Sequence, residues 1–155
     1  MLLDIVKKGS VDRSVVLRII NSTTGLPQND VVFNSAGIAL WYRREGAAIV
    51  DITEATLAAL TTAHADGGFL YVRDGEYRLD LPDAAFATGV NYVDVGGTVT
   101  GAIVIGGRVR LTDFDLESAR VPVQDRYIQN QAVDDFPFVM IATATNQPAA
   151  GKTVA

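Results

Sequence analysis

The chain has 155 residues, 48% of them apolar and 20% charged, which suits one folded domain with an appendage and argues against intrinsic disorder. Eighteen acidic against 13 basic side chains give a formal net charge of −5, with no Lys/Arg cluster of the kind a phosphate backbone requires, so no nucleic-acid partner is expected. Cysteine is absent and His64 is the single histidine, which removes disulfides, thiolate metal sites and thiol catalysis and leaves little scope for a histidine-centred triad.

In chain order, Met1–Lys8 carries Leu2, Leu3, Ile5 and Val6, side chains costly to leave in water, and is expected to pair or dock as an N-terminal arm or strand over residues 1–11. Residues 12–115 read as short strands separated by turns. Val15, Leu17 and Ile19 alternate with Val16, Arg18 and Ile20, a run apolar enough for a strand buried or nearly buried on both faces. Asn21–Pro27 supplies the turn. Ile38–Arg44 follows, with Leu40 and Tyr42 on one face and Trp41 and Arg43 on the other. Asp74-Gly75 predicts a hairpin joining Phe69–Val72 to Glu76–Leu81. There Tyr77, Leu79 and Leu81 are expected to point inward, and Glu76, Arg78 and Asp80 to face water. Val93–Val95, Thr98–Ile105 and Arg108–Thr112 complete the series, with Gly96-Gly97 and Gly106-Gly107 as turns or bulges. Strands at this spacing predict an all-β protein built as an antiparallel β-sandwich.

Two segments read as short helical insertions. Thr53–Leu60 has an N-capping threonine, an acidic first turn and helical apolar spacing, which would place His64 at the helix end as a C-terminal cation. Pro82–Gly89 reads as a single helical turn, with Asp83 at its start. Beyond Asp115 the texture changes. Residues 116–135 read as a linker, and 136–155 as a C-terminal strand on an extended arm. The pattern Leu17-x-Ile19-Ile20-x-Ser22-x-Thr24-Gly25-x-Pro27 recurs as Phe138-x-Met140-Ile141-x-Thr143-x-Thr145-Asn146-x-Pro148, displaced by 121 residues without gaps. Either Phe136–Ala155 opens a second module, or it is a strand donated to a neighbour's sheet.

Chemistry-bearing motifs are weak. Ala149–Thr153 resembles the end of a P-loop but lacks its first glycine and a following helix. Asp113 and Asp115 would share one face of a continuing strand, without the further ligands a cation needs. No serine sits in a nucleophile elbow. No catalytic, cofactor-binding or metal-binding residue is therefore expected, and the chain is read as a non-enzyme. Trp41, Tyr42, Arg43 and Arg44 form the one aromatic-cationic cluster, suited to a sugar or to a protein partner, and core packing by one face of the strand accounts at least as well for Trp41 or Tyr42.

The strands Ser14–Ile20 and Ile38–Arg44, the run Asp74–Gly89 with Tyr77-Arg78-Leu79-Asp80-Leu81-Pro82-Asp83-Ala84-Ala85-Phe86 at its heart, and Thr98–Ile105 resemble the N-terminal Ig-like module of tailed-bacteriophage tail-fibre and upper-baseplate-type structural proteins. The resemblance covers about residues 1–115 and implies virion attachment through the N-terminal region and, often, tandem sandwich modules, with no catalytic residues to carry over. On this basis the chain is expected to be a virion protein, assembled in the bacterial host cytoplasm, that acts as an attachment or adaptor module of the tail, baseplate or tail fibre. Its expected partners are other virion proteins, and copies of itself as a homo-oligomer, a trimer by fibre analogy; no membrane is involved. The expected interface residues are Leu2, Leu3, Ile5, Trp41, Tyr42, Arg43, Phe136, Phe138 and Met140. Two alternatives stand beside this reading: a capsid decoration protein, and a carbohydrate-binding module using Trp41 and Tyr42.

Overall fold

The computed structural model describes residues 2–114. Ten strands run in chain order: β1 (Leu2–Lys7), β2 (Ser14–Asn21), β3 (Ala39–Arg44), β4 (Ile49–Asp51), β5 (Ala55–Thr56), β6 (Gly68–Arg73), β7 (Glu76–Asp80), β8 (Tyr92–Thr98), β9 (Ala102–Ile105) and β10 (Gly107–Thr112). They form two five-stranded sheets, β1-β10-β8-β3-β4 and β5-β6-β7-β2-β9. The fold is the all-β sandwich expected from the strand spacing. Each sheet is antiparallel except at one edge, where β1 pairs parallel with β10 and β5 pairs parallel with β6. The segment read as an arm or strand before the sandwich is therefore an edge strand of the sandwich itself.

Period-two alternation builds the core. Val15, Leu17 and Ile19 of β2 face inward with Tyr77 and Leu79 of β7, against Leu40 and Tyr42 of β3, Val93 and Val95 of β8, and Val109 and Leu111 of β10. Each large apolar side chain fully buried this way contributes about 1.5–3 kcal/mol before entropy is counted. Only one face of β2 is covered: Val16 is half exposed, so the expectation of a strand buried on both faces does not hold. The hairpin at Asp74-Gly75 forms as expected, both residues having positive φ (47° and 77°), the conformation that a tight two-residue connection between twisted strands requires. Asp83–Phe86 is the expected single turn, a 3-10 helix, and Asp83 accepts a hydrogen bond from the Asp12 backbone N–H.

Five local expectations are corrected. Thr53–Leu60 is not helical. Ala55–Thr56 pairs with Gly68 and Phe69, and the Glu54 carboxylate accepts the Leu40 N–H of β3 at 2.5 Å instead of serving a helix start. A helix this short gains too little from local propensity to compete with tertiary partners. His64 accordingly caps no helix. Its side chain is 8% exposed, with Nε2 3.2 Å from the carbonyl oxygens of Arg13 and Leu81 and Nδ1 3.4 Å from the Asp12 carboxylate. Carbonyls only accept, so Nε2 is the donor.

Asp80 does not face water. It is fully buried, because the turns between β5 and β6 fold over the outer side of β7 there. Its carboxylate accepts hydrogen bonds from Arg78, Ser14 and the Ala65 N–H. Gly96-Gly97 is not a turn but lies inside β8, and the run Thr98–Ile105 is broken at Gly101. There the chain leaves the first sheet, enters the second as β9, and returns at Gly106 as β10.

Candidate functional site

The outer face of the first sheet gathers the aromatic and cationic side chains that the sequence singled out. Trp41 and Arg43 alternate outward on β3 while Leu40 and Tyr42 point into the core, as the alternation predicts. Register then sets their neighbours. Trp41 stands between Asp51 of β4 and Gly96 of β8, and Arg43 between Ile49 and Asp94. Asp94 faces Arg108 of β10 on its far side.

Asp94 is the hub of this face. It accepts from Arg108 Nε at 2.7 Å and Nη2 at 3.2 Å, and from Arg43 Nη2 at 2.9 Å. The Arg108 hydrogen bonds hold the Asp94 carboxyl below the ordinary aspartate range; partial burial opposes them and Arg43 adds to them. The same bonds push the Arg108 guanidinium up. Arg108 also lies over the Tyr92 ring, 3.6 Å from its centroid, a cation–π contact. Two arginines are thus fixed in position while each remains about half exposed. Arg44 is turned away, donating through Nη2 to the carbonyls of Ala87 and Thr88 at 2.7 and 2.6 Å, with its buried Nε unpaired.

The Trp41 indole covers Gly96. A Cβ at that position would lie 2.5 Å from Cζ2, 2.9 Å from Cη2 and 3.1 Å from Cε2, so only glycine lets the ring settle on the strand. This is why a glycine persists in mid-strand, where it weakens β structure.

Of the nine residues expected at an interface, Trp41 and Arg43 share this face. Tyr42 does not. It is buried at 6% exposure in the core and cannot contact a ligand or partner from there, which corrects its place in the set. Leu2, Leu3 and Ile5 lie in β1, and Ile5, 39% exposed, neighbours Arg110 at the far edge of the sheet. Phe136, Phe138 and Met140 lie outside the described residues, as do the second copy of the repeat, the P-loop-like segment and Asp115. Asp113 follows the end of β10 and pairs with Lys8 Nζ at 2.9 Å.

Sequence reasoning missed Tyr92, Asp94 and Arg108. Their signal was present in the alternation Tyr92-x-Asp94-x-Gly96 and Arg108-x-Arg110, but which strands are neighbours was not. Among the described residues no group of three or more His, Cys, Asp or Glu is placed to hold a metal ion. Compared with protein families, with curated proteins and with solved structures, the chain matches none.

Proposed function

We propose that this protein is a structural module of a tailed-bacteriophage virion, an attachment or adaptor element of the tail, baseplate or tail fibre that acts by binding neighbouring subunits. The resemblance of the Asp74–Gly89 run and its flanking strands to phage Ig-like modules supplies the biological setting. The observation that carries the mechanism is β4. All three of its residues are exposed, Ile49 at 56% and Val50 at 43%, at the open edge of a sheet. β4 is short and ends in Asp51, but its exposed Ile49 and Val50 at an open sheet edge can receive another strand, and a chain that keeps such an edge benefits when a neighbour covers it.

The experiment is immunogold labelling of purified particles with antibody raised against residues 2–114, together with incorporation of the full chain carrying Ile49→Lys and Val50→Lys. Labelling at the tail or baseplate, with the double variant excluded from particles, is the expected result. Labelling over the shell would move the protein to capsid decoration, and unlabelled particles would overturn the reading.

A further inference from the structure

We propose that the Trp41 face of the first sheet is a binding site for a neutral pyranose chain, with one sugar ring stacked on the outer side of the indole. Three observations converge on it. The indole is seated on Gly96, so the ring covers the sheet as a platform instead of projecting as a mobile side chain. An aromatic face carries partial negative charge and is complementary to the C–H-bearing face of a sugar ring.

The polar groups around the platform alternate in sign. Asp51 stands directly across from Trp41 on β4, Arg43 lies two residues along β3, and Asp94 and Arg108 continue the row beyond Arg43. Arg110, outward on β10 opposite Tyr92, adds a third guanidinium to these two and to the two carboxylates. They offer acceptors and donors side by side, which is what vicinal hydroxyls, each both donor and acceptor, can satisfy. A guanidinium has five N–H groups, and Arg43 spends one on Asp94, so donors remain for a ligand.

Finally, the groups are already fixed. Arg43 and Arg108 share one carboxylate, and Arg108 is stacked on Tyr92, so little side-chain freedom is lost on binding. The face is open at the β4 edge, which lets a polymer continue past the single stacked unit.

Trp41 is the chain's only tryptophan, so emission excited selectively at tryptophan, beyond the absorption of the five tyrosines, reports on this site. The full chain is titrated with cellohexaose, maltohexaose and chitohexaose. A saturable change in emission with at least one of them is expected. In affinity electrophoresis against the same sugar, Trp41→Ala should abolish retention, Trp41→Phe should weaken it, and Arg43→Gln should weaken it at least about tenfold. Val16→Ala, on the opposite sheet, should bind like the parent. Thermal melts of each variant separate lost binding from lost folding, with Trp41→Phe as the conservative substitution. The proposal is overturned if none of the three sugars changes the emission up to about 10 mM, or if folded Trp41→Ala still binds. It is equally overturned if emission responds to an acidic peptide such as poly-glutamate and not to sugar, which would make this face a protein interface.

Discussion

The Tyr77 hydroxyl donates to the Gln28 carbonyl at 2.6 Å and accepts from the Val31 N–H at 3.2 Å, tying the loop between β2 and β3 to the middle of the core. The ring is fully buried, stacked on Phe69 at 5.0 Å and edge-on to Tyr71 at 5.5 Å. Burial pushes the phenol up. One side chain thereby does two jobs, filling the core and supplying the polar partners that a loop without regular pairing lacks.

Tyr77→Phe keeps the ring and leaves Gln28 O and Val31 N–H without that partner. Leaving buried polar groups unsatisfied costs about 1–3 kcal/mol, so the urea midpoint should fall with an unchanged slope. Amide exchange at Val31 should accelerate well before that of β7. Equal exchange in parent and variant would mean the loop is held by other contacts.

Asp80 and Asp94 are the groups expected to make the fold sensitive to acid. Burial pushes the Asp80 carboxyl up, but hydrogen bonds from Arg78, Ser14 and Ala65 together outweigh burial and hold it below the ordinary 3.8. Asp94 is lowered as well, chiefly by Arg108. Groups depressed in the folded state contribute stability fully above their unfolded value and lose it as pH falls through the folded value. Stability should therefore hold above about pH 5 and decline below about pH 4.

Asp80→Asn isolates the buried member. Removing the charge of one partner of a buried pair costs up to about 3–5 kcal/mol; here Arg78 keeps the Leu60 and Thr62 carbonyls through Nη1 but loses the carboxylate that Nε and Nη2 face. The loss at pH 7 should be large, and the parent and variant curves should converge toward pH 3. A constant offset across that range would assign the effect to packing.

His64→Ala tests whether the β5–β6 connection is held from the His64 ring. Loss of its hydrogen bonding to the Arg13 and Leu81 carbonyls should cost about 1–3 kcal/mol and raise exchange between residues 57 and 66. Exchange there is the decisive reading, since a purely local cost would leave it unchanged.

Leu17→Ala and Val16→Ala, adjacent on β2, test its facing. The first empties a fully buried position and should cost about 2–5 kcal/mol, while the second, half exposed, should stay within about 0.5 kcal/mol. Comparable losses would mean that both faces of β2 are covered in solution.

The strands were legible because alternation and turn chemistry are local. Tyr77-x-Leu79 and Asp74-Gly75 state their own geometry. What misled was context. The Ala-rich Thr53–Leu60 carries helical spacing, yet Glu54 and Ala55 find partners on Leu40 and Gly67 that outcompete a helix of eight residues. Asp80 reads as a solvated position until a distant turn covers it. The candidate site was half visible: Trp41 and Arg43 announce themselves, but the Asp94 hub depends on β8 lying between β3 and β10. No sequence period encodes that neighbourhood.

The parallel pairing of β1 with β10 has a mechanical consequence. Leu2 is in register with Arg108 and Lys7 with Thr112, so the two strands enter and leave the sheet in the same direction. Tension applied between the start of β1 and the end of β10 acts along the strands in opposite senses. From Asp4 to Lys7, beyond the register shift that follows Leu2, it loads the hydrogen bonds of the pair together in shear, instead of unzipping them one by one. Force passing between the two ends of the sandwich therefore meets its stiffest axis, and rupture should require the whole pair to slip at once.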